Sequence, residues 1–264
     1  MPTLSEIVAF LEKLAPPALA EDWDNTGLLV GRASADVRRI LTCLTLTPDV
    51  AKEAIQSDVQ LIVSHHPVLF RGTKRIADDT AEGRMLLGLI ESGIAVYSPH
   101  TSFDSAADGI NQQLAESFGL QKIQPLRPSE AVPELGSGRI GTLAESVSLS
   151  AFLGVVSAAV AADYLEYTGP AGVKVSQVAV ACGAAGEFLA DAIRLGCDTF
   201  VTGEGRFHSA LEARSAGVNL IFTGHYSSER PAVETLASAI ADAIADVKVW
   251  PSQVERDPLT VYQP

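Results

Sequence analysis

The segment Leu61-Ile-Val-Ser-His-His-Pro67 decides the architecture. Its first four residues are apolar or small and carry no charge, the composition of a strand buried on both faces rather than an amphipathic one. Two imidazoles follow at once, where such a strand leaves the core, and Pro67 stiffens the turn behind them. Five further runs share this character: Ile40–Leu46, Ile94–Ser98, Val178–Cys182, Thr199–Thr202 and Leu220–Thr223. Helical patterns separate them, at Asp49–Gln56, Glu82–Glu91, Asp108–Phe118, Gly186–Leu195, His208–Ala216 and Pro231–Ala245. Gly119, Gly196 and Gly217 stand where C-terminal helix caps belong. Continuous Val/Ile/Leu strands alternating with helices predict mostly parallel sheets flanked by helices.

Outward from this core, the chain opens with a helix. Thr3 and Glu6 form a capping box, and Leu4, Ile7, Val8, Leu11 and Leu14 make one apolar face before Pro16-Pro17 stop it. The middle reads differently. Gln124–Gly138 is rich in Pro, Gly and Ser and predicts a connector, followed by short strands at Arg139–Leu143 and Asp163–Tyr167 around a helix at Leu149–Ala161. The class is therefore α/β in two lobes, the first taking residues 1–101 with 224–264 and the second residues 102–223.

Composition narrows the function. With 47% hydrophobic and 19% charged residues over 264 positions, the chain has the make-up of a globular protein. No apolar run approaches the roughly 20 residues that cross a bilayer, and the acidic opening MPTLSEIVAFLEKLAP lacks the basic region of a signal peptide. A cytoplasmic location without membrane contact is expected. A net charge of −13 argues against general nucleic-acid binding, although bound metal ions can invert the field around a nucleotide. Cys43, Cys182 and Cys197 show no CxxC spacing and read as small buried hydrophobes. No GxGxxG turn opens the chain, so a Rossmann-type cofactor site is not expected.

The histidines carry the chemical signal. Of the five, His65, His66, His100 and His225 fall at predicted strand ends, and His208 lies shortly after TFVTGEGRF. Functional groups of open α/β sheets gather beyond the carboxyl ends of strands. Asp104 follows His100, and Glu229 follows His225, by four residues. On a helix such pairs face the same way and can reach one ion. Adjacent histidines diverge on an extended backbone, so His65 and His66 are expected to reach two neighbouring ions. A set of imidazoles and carboxylates suits zinc, iron, manganese or cobalt.

Longer motifs carry a resemblance. Ser64-His-His-Pro67 with Phe70-Arg-Gly-Thr-Lys74, Pro99-His-Thr-Ser-Phe-Asp104 with Gly109-Ile-Asn111, Asp22-Trp-Asp-Asn-Thr-Gly-Leu28, Thr202-Gly-Glu204 with His208, and Thr223-Gly-His225 with Glu229 together resemble the NIF-three-like, or GTP cyclohydrolase I type 2-like, family. The resemblance implies a dinuclear metal centre in the cleft between two α/β lobes, and a homohexameric ring. It places the metal ligands at His65, His66, Asp104, His225 and Glu229, with Glu229 bridging two divalent ions of zinc, iron or manganese. His100 falls beside the metals, as a ligand or a proton carrier. His208 and Glu204 would face the same cavity. About 70 residues separate Asp104 from the VAVACG strand, too few for the inserted central domain of longer members, so this is the short form. Thr45 stands where an acidic residue is expected in many relatives, and Cys182–Gly186 replaces a more glycine-rich turn. That turn reads as tight strand–helix packing rather than a phosphate cradle.

The function expected from the resemblance is a metal-dependent hydrolase acting on a nucleotide or phosphorylated small molecule, with His100 and His208 moving protons. Arg71 and Lys74 are the cations nearest the His pair in sequence for an anionic substrate. The alternative is a non-catalytic metal-binding scaffold, metallochaperone or regulatory partner, because fold alone does not fix an activity.

Overall fold

The computed structural model describes residues 1–262 and divides the chain into two compact units. Unit 1 comprises Met1–Lys13, Ala20–His100 and Val233–Pro264, and unit 2 comprises Leu14–Leu19 and Thr101–Ala232. Along the chain, helix α1 (Leu4–Leu14) precedes strands β1 (Gly27–Val30) and β2 (Arg39–Cys43), helix α2 (Pro48–Gln56), β3 (Leu61–Ser64), α3 (Ala81–Glu91), β4 (Ala95–Ser98) and the short α4 (His100–Ser105). There follow α5 (Ile110–Ser117), β5 (Gln121–Pro128), β6 (Gly136–Ser148), α6 (Leu149–Ala159), β7 (Glu166–Tyr167), β8 (Lys174–Ala181) and α7 (Leu189–Arg194). The chain closes with β9 (Thr199–Thr202), α8 (Phe207–Ala216), β10 (Asn219–Phe222), α9 (His225–Ala243) and β11 (Lys248–Pro251).

In unit 1 the sheet order is β1-β4-β3-β2-β11. β4, β3, β2 and β11 run parallel, and only β1 is antiparallel, against β4. Leu41, Ile62 and Val96 are fully buried and pack with Val50, Ala54 and Leu89 of α2 and α3. Thr47 caps α2 and Thr80 caps α3, each accepting a backbone N–H of the first turn. Because β2, β3 and β4 run side by side in one direction, Cys43, Ser64 and Ser98 end at the same edge. Whatever follows them in sequence emerges together.

Unit 2 repeats the principle in a mixed sheet, β5-β6-β8-β9-β10-β7. β8, β9 and β10 are parallel, whereas β6 is antiparallel to both β5 and β8, and β7 is antiparallel to β10. The expected parallel arrangement thus describes the first sheet and the β8-β9-β10 part of the second. Its core gathers Ala179, Ala181, Leu189, Phe200 and Leu220. The segment 124–138 is a connector only in part: residues 124–128 belong to β5 and 136–138 to β6, and the loop between the two strands takes residues 129–135. Pro125 and Pro128 are tolerated because β5 lies at the sheet's edge, where a missing N–H breaks no ladder on the outer side. The strand expected at Arg139–Leu143 extends over Gly136–Ser148, and that expected at Asp163–Tyr167 shortens to Glu166–Tyr167. No helix among the described residues is long and apolar enough to cross a membrane.

Candidate metal centre

In unit 1, the parallel ladder continues past the end of β3: the N–H groups of His65 and His66 donate to the carbonyls of Cys43 and Leu44, both at 2.9 Å. Ser64 Oγ donates to the His66 carbonyl at 2.8 Å, and Ser98 Oγ donates to the His65 carbonyl at 2.6 Å. Both histidines sit in a bend rather than on extended backbone, so their rings do not diverge: the centroids are 5.1 Å apart. His100 begins α4 with a left-handed φ of 33° and turns its ring to within 5.3 Å of His65 and 5.7 Å of His66. One ligand nitrogen from each of the three lies within 4.8 Å of the others. His65 is buried, and His66 and His100 are partly so.

The tautomers are steered from behind. Asp24 holds His100 Nδ1 at 2.7 Å through Oδ1, with its own side chain fully buried. Thr45 Oγ1 lies 2.8 Å from His66 Nδ1. The Asp24 carboxylate accepts at Nδ1 and leaves Nε2 of His100 as the ligating or proton-exchanging nitrogen; the Thr45 hydroxyl does the same for His66 when it accepts, the usual arrangement behind a metal-bound imidazole. At this position the chain thus offers His66 a hydroxyl rather than a carboxylate. A carboxylate does stand one step further back: buried Glu255 accepts the N–H groups of Leu44 at 3.0 Å and Thr45 at 2.7 Å.

In unit 2, His225 and Glu229 lie on the first turns of α9, and His225 Nε2 is 3.1 Å from Glu229 Oε2. The other ring nitrogen is 2.9 Å from Glu204 Oε1, just beyond β9. The hydrogen bond to buried Glu229 is the main reason the imidazole's pKa rises to about 9; burial opposes it, and the Glu229 and Glu204 charges add to the rise. The ring is therefore protonated at neutral pH, and a metal bound there would displace that proton. Gly183 carries a φ of 63°, and a β-carbon added to it would overlap Glu229 Oε1. Its N–H donates to Ser228 Oγ at 3.0 Å. The turn after β8 is glycine because a carboxylate presses on it, an origin consistent with tight packing.

Asp104 sits in α4, partly buried, and accepts the Cys182 thiol at Oδ1, 3.3 Å away. Burial first, and then the charges of Asp104 and Glu229, raise the Cys182 pKa, so the thiol remains a donor. Asn111 ties the pair together, donating to the Asp104 carbonyl at 3.1 Å and accepting the Cys182 N–H at 2.8 Å. Behind α4, the buried Arg139 donates to the carbonyls of Ser105, Ala106, Gly136 and Gly138 and to Gln112 Oε1. Cys182 read from sequence as a plain hydrophobe; no spacing linked it to Asp104, 78 residues away. His208, exposed on α8, lies edge-on to Phe207 with centroids 5.9 Å apart. Among the described residues no hydrogen bond or ion pair joins it to Glu204, His225 or Glu229.

In each unit the donors fit divalent metal chemistry: in unit 1 imidazoles held through Nδ1 by oxygen, and in unit 2 an imidazole beside the carboxylate of Glu229 on α9. Comparison with known proteins agrees on kinship. The sequence model of the family described as Duf34/NIF3 (NGG1p interacting factor 3) matches residues 2–258. A Clostridium perfringens protein named GTP cyclohydrolase 1 type 2 homolog is 32% identical over 97% of this chain and 98% of its own length. A Schizosaccharomyces pombe protein named Protein NIF3 homolog is also 32% identical, over 97% of each chain. Among solved structures, a Bacillus cereus protein related to NIF3 superposes with a TM-score of 0.90 at 25% identity, covering 99% of both chains.

Proposed function

The chain belongs to the Duf34/NIF3 family, and from that premise we propose that it holds two divalent metal ions and hydrolyses a nucleotide or another phosphorylated small molecule. The observation that carries the reading is the convergence of ring nitrogens of His65, His66 and His100 within 4.8 Å, which sets a proton-carrying imidazole beside two proposed ligands, with oxygen partners at the His66 and His100 rings. The proposed ligands are His65, His66, Asp104, His225 and Glu229, for zinc, iron or manganese. Bound ions would polarise a substrate oxygen and activate water. The name GTP cyclohydrolase 1 type 2 homolog, given to relatives at 32–33% identity, supports a nucleotide as substrate.

The chain's own part is proton handling and orientation. Asp24 fixes the His100 tautomer from Nδ1, so Nε2 is the atom that exchanges a proton with substrate, on the same logic by which a buried carboxylate orients a catalytic imidazole. Glu204 orients His225 in the same manner. No step is assigned to His208. A ring of six chains belongs to the same proposal, and a light-scattering mass other than six chains would remove it.

The test is a screen of nucleotides and phosphoesters with the native protein and His100→Ala. Turnover in the native protein, lost in the variant while its metal content stays unchanged, is the expected result. No turnover on any substrate with the metals in place would overturn the hydrolase and leave a metal-binding scaffold, metallochaperone or regulatory partner.

A further inference from the structure

We propose that Trp23 and Phe70 form an aromatic shelf for the base of a nucleotide, with Arg71 and Lys74 taking its phosphates. The inference rests on the hydrolase reading above and names how the substrate would be held. Trp23 is 60% exposed and Phe70 47%, although side chains of this size are normally mostly covered. They are not scattered singly. Their rings meet edge to face with centroids 5.9 Å apart, and each lies 6.1 Å from the His100 ring. Two uncovered aromatic rings beside an imidazole cluster offer a stacking surface at the point where a reacting group must sit.

The shelf is built rather than incidental. Asp24, next to Trp23, is locked by His100 and accepts the Asn25 N–H at 2.7 Å. Asn25 Nδ2 donates to the Leu69 carbonyl at 2.6 Å, so the residues flanking the two rings are tied across 44 positions of sequence. From Phe70 the wall continues into an open groove of about 750 Å³ lined by Asn25, Leu69 and residues 70–76, with room for a nucleotide-sized ligand. The groove carries Arg71, Lys74 and Arg75. Arg75 is held by Asp79 at 2.7 Å, whereas Arg71 and Lys74 pair with no carboxylate among the described residues. Two such cations on a chain of net charge −13 mark a local preference for an anion. A sugar phosphate would leave the rings uncovered, and a nucleoside would leave the cations unused; a nucleotide engages both.

The two tryptophans make the test direct. In Trp250→Phe, Trp23 is the sole tryptophan, and GTP should quench its emission saturably. Guanosine, and ribose 5-phosphate measured by competition, should bind at least about tenfold more weakly, or ~1.4 kcal/mol. Phe70→Ala and the double variant Arg71→Ala/Lys74→Ala should each weaken GTP by a similar factor without altering metal content. Calorimetry of GTP with Trp23→Ala in the otherwise native chain gives the same readout should Trp250→Phe fail to fold. Quenching linear in GTP, as for a free tryptophan derivative, would overturn the proposal. So would ribose 5-phosphate competing as well as GTP, or a Phe70→Ala that changes the oligomeric mass and leaves GTP affinity intact. Saturable quenching in a protein that turns over no nucleotide keeps the shelf and removes the hydrolase; turnover indifferent to Trp23→Ala and Phe70→Ala does the reverse.

Discussion

The two units present their candidate ligands by different means. In unit 1, His65 and His66 are held by backbone: the β2–β3 ladder runs on through both residues, and seryl hydroxyls close the bend on their carbonyls. In unit 2, Asp104, His225 and Glu229 are held by side chains, through Cys182, Asn111, Glu204 and the buried Arg139. A ladder survives the loss of a single side chain, whereas a side-chain network loses its geometry with one member. Unit 2 should therefore be the more sensitive to substitutions one layer behind the ligands.

Arg139→Met is expected to have the largest effect. It removes the donors to four buried carbonyls behind α4 and should cost about 3 kcal/mol in urea unfolding. A loss below about 1 kcal/mol would show that the network is dispensable. Next comes Gly183→Ala, which strains a left-handed residue and drives a methyl group into Glu229. Metal affinity measured by competition should fall on the order of 100-fold, and unchanged affinity would remove Glu229 from the ligand set.

On the unit 1 side the effects shrink. Glu255→Gln can still accept one of the Leu44 and Thr45 N–H groups, so Thr45 shifts without leaving His66. About a tenfold weakening of metal binding is expected, the lower end for an outer partner. A loss as large as that of Gly183→Ala would erase the contrast between the units.

The smallest effect belongs to Asp191, away from the ligands in unit 2. Burial pushes its carboxyl upward, but hydrogen bonds from Arg194 and Arg127, with their charges, outweigh it and hold the pKa below the ordinary carboxylate value. A carboxyl depressed in the folded state adds stability above its unfolded pKa and loses it as pH falls through the folded one. Both arginines are substantially exposed, so Asp191→Asn should cost about 1 kcal/mol or less at pH 7. The difference should vanish in acid; a difference independent of pH would point to packing instead.

How much of this is legible in the sequence follows from where each interaction comes from. β3 and β9 stand at the residues read from composition, because a strand buried on both faces announces itself locally. β1 and β11 escape notice: each is four residues long and incompletely buried, and its pairing depends on distant partners. β5 is obscured by Pro125 and Pro128, which suggest a loop until its edge position is known. The histidines at strand ends stand out for the same local reason as the strands. Of their partners, Glu204 enters through its motif, but the pairings made by Asp24 and Glu255 do not. Asp24 is 76 residues from His100, and Glu255 is 210 from Thr45, separations that no motif bridges without the sheet order.

The central claim is that these side chains are metal ligands, and metal analysis of the purified chain addresses it most directly. About two equivalents of zinc, iron or manganese per chain are expected, falling when His66 or Glu229 is replaced by alanine. A chain that carries no metal, and takes up none when zinc, iron or manganese is added, would contradict it.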